Sequence, residues 1–365
     1  MADHAHRRRR GARSAGRRAK PAPRARLAGV AAAVVAVAAG AGLLIADRPG
    51  DSGVQPVTID ADRSPEAGGG RLPGQMLYVD PTGAAAEQVR AWESIGRTAD
   101  AAVIRRIADR PTATWFADAT PGFATRAQRL VSDAGRAGQL PVLTLYHIPN
   151  RDCAGQSAGG APDGPAYRQW IASLATALRG HRAVVVLEPD AVAHAVQGCL
   201  NRAAAAERYA LLAHAVDTLR ALPGVFVYLD AGNPTWIRDP SRMTAALRRA
   251  GIRRTHGFAL NVANFETTAD NIRYGSALSR LLGGAHFVVD TSRNGNGPAR
   301  VGAGDRHWCN PPGRKLGEAP TTRTGHALVD AYLWVKRPGE SDGACGHGAP
   351  PAGVWWPEYA LELAR

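Results

Sequence analysis

The chain has 365 residues, of which 45% are hydrophobic, so it can bury the core of one large domain or of two ordinary ones. Its net charge of +14 is concentrated at one end, because residues 1–26 hold nine arginines and one lysine against one aspartate. The basic excess is therefore mostly a tail rather than a binding face, and we expect no nucleic-acid partner.

An apolar segment rich in Ala, Val and Gly follows the basic tail at residues 27–46. A basic region ahead of an apolar one is typical of an export signal, and this length lies between that of a signal-peptide core and that of a membrane span. Cleavage after Ala41, at a small-x-small site with Ala39, is one reading, and an uncleaved membrane anchor is the other. Both place the rest of the chain outside the cell.

The remainder divides by composition into two parts. Residues 47–72 are rich in Gly, Pro, Asp and Ser and predict a linker. Residues 73–365 predict a single domain, because short apolar runs alternate there with Ala-, Leu- and Arg-rich helical stretches.

The predicted strands of this domain are apolar throughout, and helical patterns separate them. The strands are 113–117, 142–146, 183–187, 225–229, 257–262, 286–289 and 331–336, and the helices are 125–137, 167–179, 203–221, 241–251 and 269–282. Continuous apolar strands separated by helices indicate a parallel sheet that is covered on both faces. About seven such repeats fit a (β/α) barrel better than a small open sheet.

Polar and acidic residues follow the predicted strands at their carboxyl ends. They are Asp152, Glu188, Asp190, Asp230, Asn261, Asn264, Asp290, Ser292, Arg293, Glu340 and Asp342. In a parallel barrel these ends open onto one face, where active sites of this architecture lie. Glycoside hydrolysis needs one protonated carboxyl for the leaving oxygen and another group for the water. Any single acid can instead cap the following helix, but capping explains the whole set poorly.

Tryptophans interleave with these acids, and aromatic faces pack well on the C–H faces of sugar rings. Trp236 and Trp308 lie in loops rich in Gly, Pro and Asn and are predicted to be exposed. Trp334 lies in a predicted strand and is expected in the core, and Trp115 fits a core position as well as a sugar platform.

The four cysteines all follow the apolar segment, and an even number in an exported chain predicts two disulfides in any of three pairings. Pairing nearest neighbours in the sequence joins Cys153 to Cys199 and Cys309 to Cys345. No segment has the ligand spacing of a zinc site, so we expect no metal.

At these residues the chain resembles glycoside hydrolase family 6, a family of endoglucanases and cellobiohydrolases that act on cellulose. The resemblance runs from about Tyr78 to near the C-terminus. Its motifs are Tyr146-His-Ile-Pro-Asn-Arg-Asp152-Cys153, Val-Leu-Glu188-Pro-Asp190, Tyr228-Leu-Asp230-Ala-Gly, Asn261-Val-Ala-Asn264, Val-Asp290-Thr-Ser-Arg293-Asn-Gly-Asn-Gly, Trp308-Cys309-Asn-Pro-Pro-Gly and Trp334-Val-Lys336-Arg-Pro-Gly-Glu340-Ser-Asp342-Gly.

The resemblance implies a distorted barrel of about seven parallel strands and an inverting reaction without metal or cofactor. It implies that Asp190 is the general acid and that Asp152 keeps Asp190 protonated by repulsion and relays a proton from the attacking water. Tyr146 would press on the sugar at the cleaved bond. Asp342 is the candidate base, although pairing with Arg293 and Lys336 would lower its pKa.

The resemblance also implies the binding residues and the disulfides. Sugar hydroxyls would be bound by Asp230, Lys336 and Glu340, with Asn261 and Asn264 as further substrate-binding residues. Trp308 would line a glycone-side subsite and Trp236 an aglycone-side one. The disulfides would be Cys153–Cys199 and Cys309–Cys345.

The resulting expectation is a monomeric, extracellular endo-β-1,4-glucanase, catalytic over residues 73–365, whose partner is a β-glucan. Short connections after Asp230 and Cys345 favour an open groove, and hence internal cutting over a chain-end-acting cellobiohydrolase. A catalytically weak surface protein that binds carbohydrate is the alternative from another class. It is suggested by the alternative of an uncleaved membrane anchor and by Ala158, which stands where the family often has serine. Asn233 stands where the family has histidine, which bears on one sugar contact.

Overall fold

The structure is a computed structural model that describes residues 72, 74–299, 307–346 and 348–365. The basic tail, the apolar segment and nearly all of the linker predicted above lie outside the described residues. Within the described ranges, no helix is both long and apolar enough to cross a membrane.

Seven strands form one sheet in which the spatial order follows the chain and every neighbouring pair is parallel. They are β1 (Thr114–Phe116), β2 (Val142–Leu145), β3 (Ala183–Leu187), β4 (Val225–Asp230), β5 (Gly257–Leu260), β6 (His286–Asp290) and β7 (Val329–Leu333). The sheet curls until its edges meet, where the N–H of Ala113 donates to the carbonyl of Trp334 over 2.9 Å. No strand ladder joins β1 to β7 within the described residues, so the predicted distorted barrel is confirmed as a curled sheet that does not close completely.

Nine α-helices are described around the sheet. They are α1 (Ala84–Ser94), α2 (Thr98–Ala108), α3 (Phe123–Arg136), α4 (Gly164–Leu178), α5 (Ala191–Gln197), α6 (Arg202–Arg220), α7 (Pro240–Arg249), α8 (Thr268–Leu281) and α9 (Pro357–Ala364). The five predicted helices are confirmed as α3, α4, α6, α7 and α8. The helices α1, α2, α5 and α9 are not among the five predicted helices, and all four are short, with 7 to 11 residues.

The apolar strands pack on both faces, as their continuous hydrophobicity predicts. In β3 all five residues are buried, with Val184 and Val186 in the cluster inside the curled sheet and Val185 and Leu187 in the cluster beneath the helices. Successive strand side chains point to opposite faces, so a strand buried on both sides needs apolar residues at every position.

The last predicted strand, 331–336, is wrong at both ends, because β7 runs from Val329 to Leu333. The register with β6 shifts between Phe287 and Val288, and the ladder ends where Asp290 pairs with Leu333. Beyond that point the side chain of Asp290, rather than a backbone carbonyl of β6, accepts the N–H of Lys336 over 2.9 Å. This turn brings the segment that begins at Lys336 over the carboxyl ends of the strands.

Candidate active site

In the described part of the chain, the strand-end acids do not serve as helix caps. The side chains that cap helices there are Asp163, Asn201, Asp239 and Thr267, none of which belongs to the predicted set. Asp190 does occupy the residue before α5, but its side chain makes no capping hydrogen bond. Its backbone is left-handed with φ of 69°, a conformation that is uncommon for residues other than glycine. The capping alternative therefore fails at the residue for which it mattered most.

Glu188 ties the end of β3 to the end of β2. Its carboxylate is fully buried and accepts the N–H groups of His147 and Ile148, each at 3.0 Å. These bonds hold the preceding Tyr146 so that its hydroxyl lies 3.4 Å from Oδ2 of Asp190. Burial raises the pKa of Glu188 to about 7. The sequence marks Glu188 as a strand-end acid, but not as the residue that positions Tyr146.

Asp190 and Asp230 form a coupled acid pair. Oδ2 of Asp230 accepts the N–H groups of Asp190 and Gly232, both at 3.0 Å, while its buried Oδ1 has no hydrogen-bond partner in the described part of the chain. Burial raises the pKa of Asp230 to about 7. Burial also raises the pKa of Asp190 well above its usual range, followed by the charges of Asp230 and then of Asp152. Two carboxyls so placed favour sharing one proton over ionising together.

Asp152 lies in a tightly turned segment after β2. Its φ of 55°, together with 45° at Cys153 and 70° at Ala154, puts three consecutive residues in the left-handed region. Oδ2 of Asp152 accepts the N–H of Ser157 over 2.6 Å, and burial raises the pKa of this carboxyl. A disulfide joins Cys153 to Cys199 just past α5, which fixes the turn against the helix that Asp190 begins.

Arg151 fixes the ring of Tyr146 from the other side. Its guanidinium lies 5.0 Å from the centre of that ring and donates to the carbonyls of Tyr146 and Ala117, both at 2.6 Å. Trp115 packs edge-on against the same ring, with centroids 5.4 Å apart, and its indole N–H donates to the carbonyl of Val335. Trp115 is only partly buried, so it belongs to the wall of the site, a placement that its sequence context left open.

Asp342 is paired as the resemblance implied. Its carboxylate lies 2.8 Å from Arg293 and 3.3 Å from Lys336, and it accepts the N–H of Asn310 over 3.0 Å. Burial alone would raise the pKa of Asp342, but the charges of Arg293 and Lys336 outweigh burial and lower it. The group is thus a stable carboxylate with little affinity for a proton. The second disulfide, Cys309–Cys345, lies beside this cluster and confirms the predicted pairing.

The predicted sugar-binding residues differ in their exposure and in whether their polar atoms already have partners. Lys336 and Glu340 are 7% and 5% exposed, and Glu340 is paired with Arg337 at 2.7 Å. The side chain of Asn261 is fully buried and donates to the carbonyls of Glu266 and Asp290. Its amide oxygen accepts a backbone N–H as well, so the prediction of a sugar contact at Asn261 finds no support in this geometry.

The remaining predicted contacts lie at the strand ends. Asn264 is partly exposed, with its amide donating to the carbonyl of Val262. The exposure predicted for Trp308 is confirmed at 38%, whereas Trp236 is half-buried, because it packs edge-on against His194. Trp334 is 3% exposed, which confirms its prediction as a core residue.

One group among the described residues has the donors to hold a metal ion, and it consists of Cys153, His194 and Cys199. Both sulfur atoms are already joined in the disulfide, so they are not available as thiolate ligands.

Known proteins resemble this chain over the same region. The sequence profile of Glycosyl hydrolases family 6 matches residues 72–365. Endoglucanase 1 of Streptomyces halstedii is 43% identical over 295 residues, which are 79% of this chain and 88% of that protein. Endoglucanase A of Cellulomonas fimi is 42% identical over 297 residues, which are 80% of this chain but 62% of that protein.

Among solved structures, the endoglucanase Cel6 of Mycobacterium tuberculosis, in complex with methyl-cellobiosyl-4-deoxy-4-thio-β-D-cellobioside, superposes with a TM-score of 0.75 at 44% identity. The superposition covers 80% of this chain and 97% of that one. The profile match spans the whole described domain, including the acid cluster at the strand ends. The chain therefore belongs to glycoside hydrolase family 6.

Proposed function

We propose that this enzyme hydrolyses β-1,4-glucosidic bonds inside cellulose or soluble β-glucan chains, with inversion at the anomeric carbon. The observation that carries the proposal is the geometry around Asp190, whose backbone N–H donates to Asp230 and whose Oδ2 lies 3.4 Å from the hydroxyl of Tyr146. Burial and the charges of Asp230 and Asp152 raise the pKa of this carboxyl, which favours its protonated form. A glycosidase needs such a group to protonate the leaving oxygen at neutral pH. Bacterial relatives named endoglucanases, at 42–43% identity, support the substrate class and the internal mode of attack.

In this mechanism Asp190 donates its proton to the glycosidic oxygen as the bond breaks. Asp230 and Asp152 maintain the protonated form, since each negative charge nearby makes ionisation of Asp190 more costly. Asp230 is 1% exposed and bonded to the backbone of Asp190 itself, so we assign it mainly to this electrostatic task. Tyr146 is held by Arg151 and Glu188 at the acid, where its ring presses on the sugar and favours a distorted conformation.

Proton removal from the attacking water is assigned to a relay that ends at Asp152. Its raised pKa gives this carboxyl more affinity for a proton than Asp342 has. Asp342 acts instead as a permanent anion that orients Lys336 and Arg293. Lys336, Glu340 and exposed Trp308 then bind the glycone side, and Trp236 the aglycone side.

The connections near the cleft favour internal cutting. Residues 231–239 join β4 to α7 and residues 343–356 join the Asp342 segment to α9, and neither is long enough to add a roof of independent structure. A polymer can therefore enter the groove sideways. We expect the viscosity of a soluble cellulose ether to fall quickly while few reducing ends appear. Slow loss of viscosity with cellobiose as the dominant early product would contradict this mode.

The test of the acid is Asp190→Asn, assayed on a polymer and on a dinitrophenyl β-cellobioside. The polymer's leaving oxygen needs a proton, so its kcat/KM should fall by about 10²–10⁴, whereas the activated phenolate leaves without one and should lose far less. The matched control is Asp109→Asn, at an exposed carboxyl on the far end of α2. Equal losses on both substrates would remove Asp190 from the role of acid.

Stereochemistry is a separate test of the same proposal. An inverting site leaves room for water between its carboxyls, about 6.5–9.5 Å, and delivers the α-anomer from a β-glucan. Proton NMR of the earliest products should therefore show the α-anomer first. We further propose that the chain works outside the cell, which the basic and apolar N-terminal segments and the two disulfides support.

A further inference from the structure

Glu266 is a buried carboxylate at the edge of the groove that the mechanism above does not use. It follows β5 and is 6% exposed. One oxygen, Oε1, accepts the hydroxyl of Thr235 over 2.8 Å. Across the described ranges, no donor bonds the second oxygen and no lysine or arginine pairs with this carboxylate. Two other buried acids of the site, Asp342 and Glu340, have cations as partners.

The backbone of Glu266 is fixed, so its side chain leaves from a rigid point. Its carbonyl accepts the amides of Asn261, Asn271 and Asn294 at 3.0–3.1 Å, and its N–H donates to the amide oxygen of Asn261. These bonds join the ends of β5 and β6 to the first turn of α8. None of them involves the carboxylate, so the fold does not require a charge at this position.

The carboxylate lies where loops from three neighbouring strands meet. Thr235, its hydrogen-bond donor, directly precedes Trp236 in the loop after β4. His307 directly precedes Trp308 in the segment after β6, and its charge lowers the pKa of Glu266, although burial raises that pKa more strongly. The two tryptophans are the proposed sugar platforms. Among the described residues this carboxylate has no lysine or arginine partner, and His307 is the cation whose charge acts on it. It therefore lies beside the proposed path of the polymer between the two tryptophans.

We propose that Glu266 is a charge-selective substrate-binding residue: its second oxygen accepts a glucosyl hydroxyl, and its charge disfavours anionic substituents while favouring cationic ones. The inference rests on the proposed function of the groove. A buried carboxylate with one oxygen left without a hydrogen-bond donor costs stability, and a ligand that donates hydrogen bonds or carries positive charge offsets that cost. The enzyme should accordingly prefer unsubstituted or cationic β-1,4-glucans over carboxymethylated ones.

The test compares three polymers with the same backbone: carboxymethylcellulose, neutral hydroxyethylcellulose and its quaternary-ammonium derivative. Glu266→Gln keeps the shape and hydrogen-bonding capacity of the side chain but removes its charge. Relative to wild type, its kcat/KM at low salt should rise about three- to tenfold on the anionic polymer and fall by a similar factor on the cationic one. The neutral polymer should change little. The matched control, Glu207→Gln, removes an exposed charge from α6 and should leave kcat/KM equal to that of wild type on all three polymers.

Salt provides a measurement that needs no variant. Raising the ionic strength to about 0.5 M screens charges, so wild-type activity on carboxymethylcellulose should rise relative to the neutral polymer. The charge-selective role would be overturned if Glu266→Gln changed kcat/KM by the same factor on all three polymers. It would also be overturned if salt had no effect on the relative activity of wild type on carboxymethylcellulose. Absence of wild-type activity on hydroxyethylcellulose would instead overturn the proposed function.

Discussion

Replacing Asp230 with asparagine removes the charge that acts most strongly on Asp190 after burial itself. The asparagine oxygen can still accept the N–H groups of Asp190 and Gly232, so the local turn should be kept. The new amide N–H takes the place of the Asp230 oxygen that has no partner among the described residues. Loss of the negative charge stabilises an ionised Asp190 and therefore lowers its pKa.

The size of the shift follows from the state of the pair. An adjacent opposite charge lowers the pKa of an aspartate by about 1–3 units, and an adjacent carboxylate acts in the other direction. The pKa of Asp230 is itself about 7, so this group carries only part of a charge near neutrality. We therefore expect the pKa of Asp190 to fall by about one unit, or about 1.4 kcal/mol. Asp190 must be protonated to act, so activity is lost as the pH rises through its pKa. The alkaline limb of the profile should move to lower pH.

The assay is the pH dependence of kcat/KM on hydroxyethylcellulose, whose neutral backbone does not titrate. Wild type, Asp230→Asn and Asp152→Asn are compared, with exposed Asp109→Asn as the control for a loss of charge. The shift should be larger for Asp230→Asn than for Asp152→Asn, in the order of their effects on Asp190. An alkaline limb that stays in place in Asp230→Asn, or that moves upward, would refute the coupled-pair argument.

Three further predictions concern stability and processing. Burial raises the pKa of Glu188 to about 7 in the folded protein, so between about pH 4.5 and pH 7 the native state holds a proton that the unfolded chain has released. The free energy of unfolding should therefore fall by on the order of 3 kcal/mol as the pH rises through this window. Chemical denaturation should show that the free energy of unfolding depends less on pH in Glu188→Gln. Gly275→Ala places a methyl group 2.5 Å from the ring of Phe287, so the melting temperature should fall despite the better helix propensity of alanine, with a loss of about 1–3 kcal/mol for overpacking. Mass spectrometry of the exported protein should find an N-terminus near Gly42 if the apolar segment is cleaved, whereas an intact Leu27 in a membrane fraction would establish the anchor.

Element type and order were predictable because the apolar pattern is local. The valine-rich run of β3 is buried on both faces and was predicted with its observed bounds, Ala183–Leu187. The carboxyl ends of parallel strands meet at one edge whatever the details of packing, so the convergence of Asp190, Asp230 and Asp152 was also predictable. The end of β7 was not, because a register shift against β6 and the side chain of Asp290 decide where the ladder stops.

Roles within the site divide in the same way. The fold class and the set of acids follow from the sequence, since both depend on residue type and spacing. The residues left three cysteine pairings open, and the resemblance to the family implied the two that the structure contains. The tertiary structure alone decided that Asn261 is saturated by backbone groups, that Glu188 positions Tyr146 and that Asp230 outranks Asp152 in its effect on Asp190. It also left Glu266 as a carboxylate without a cation among the described residues. Hydrogen-bond partners and burial depend on atoms that are distant in sequence, and no local pattern specifies which of two neighbouring acids acts more strongly on a third.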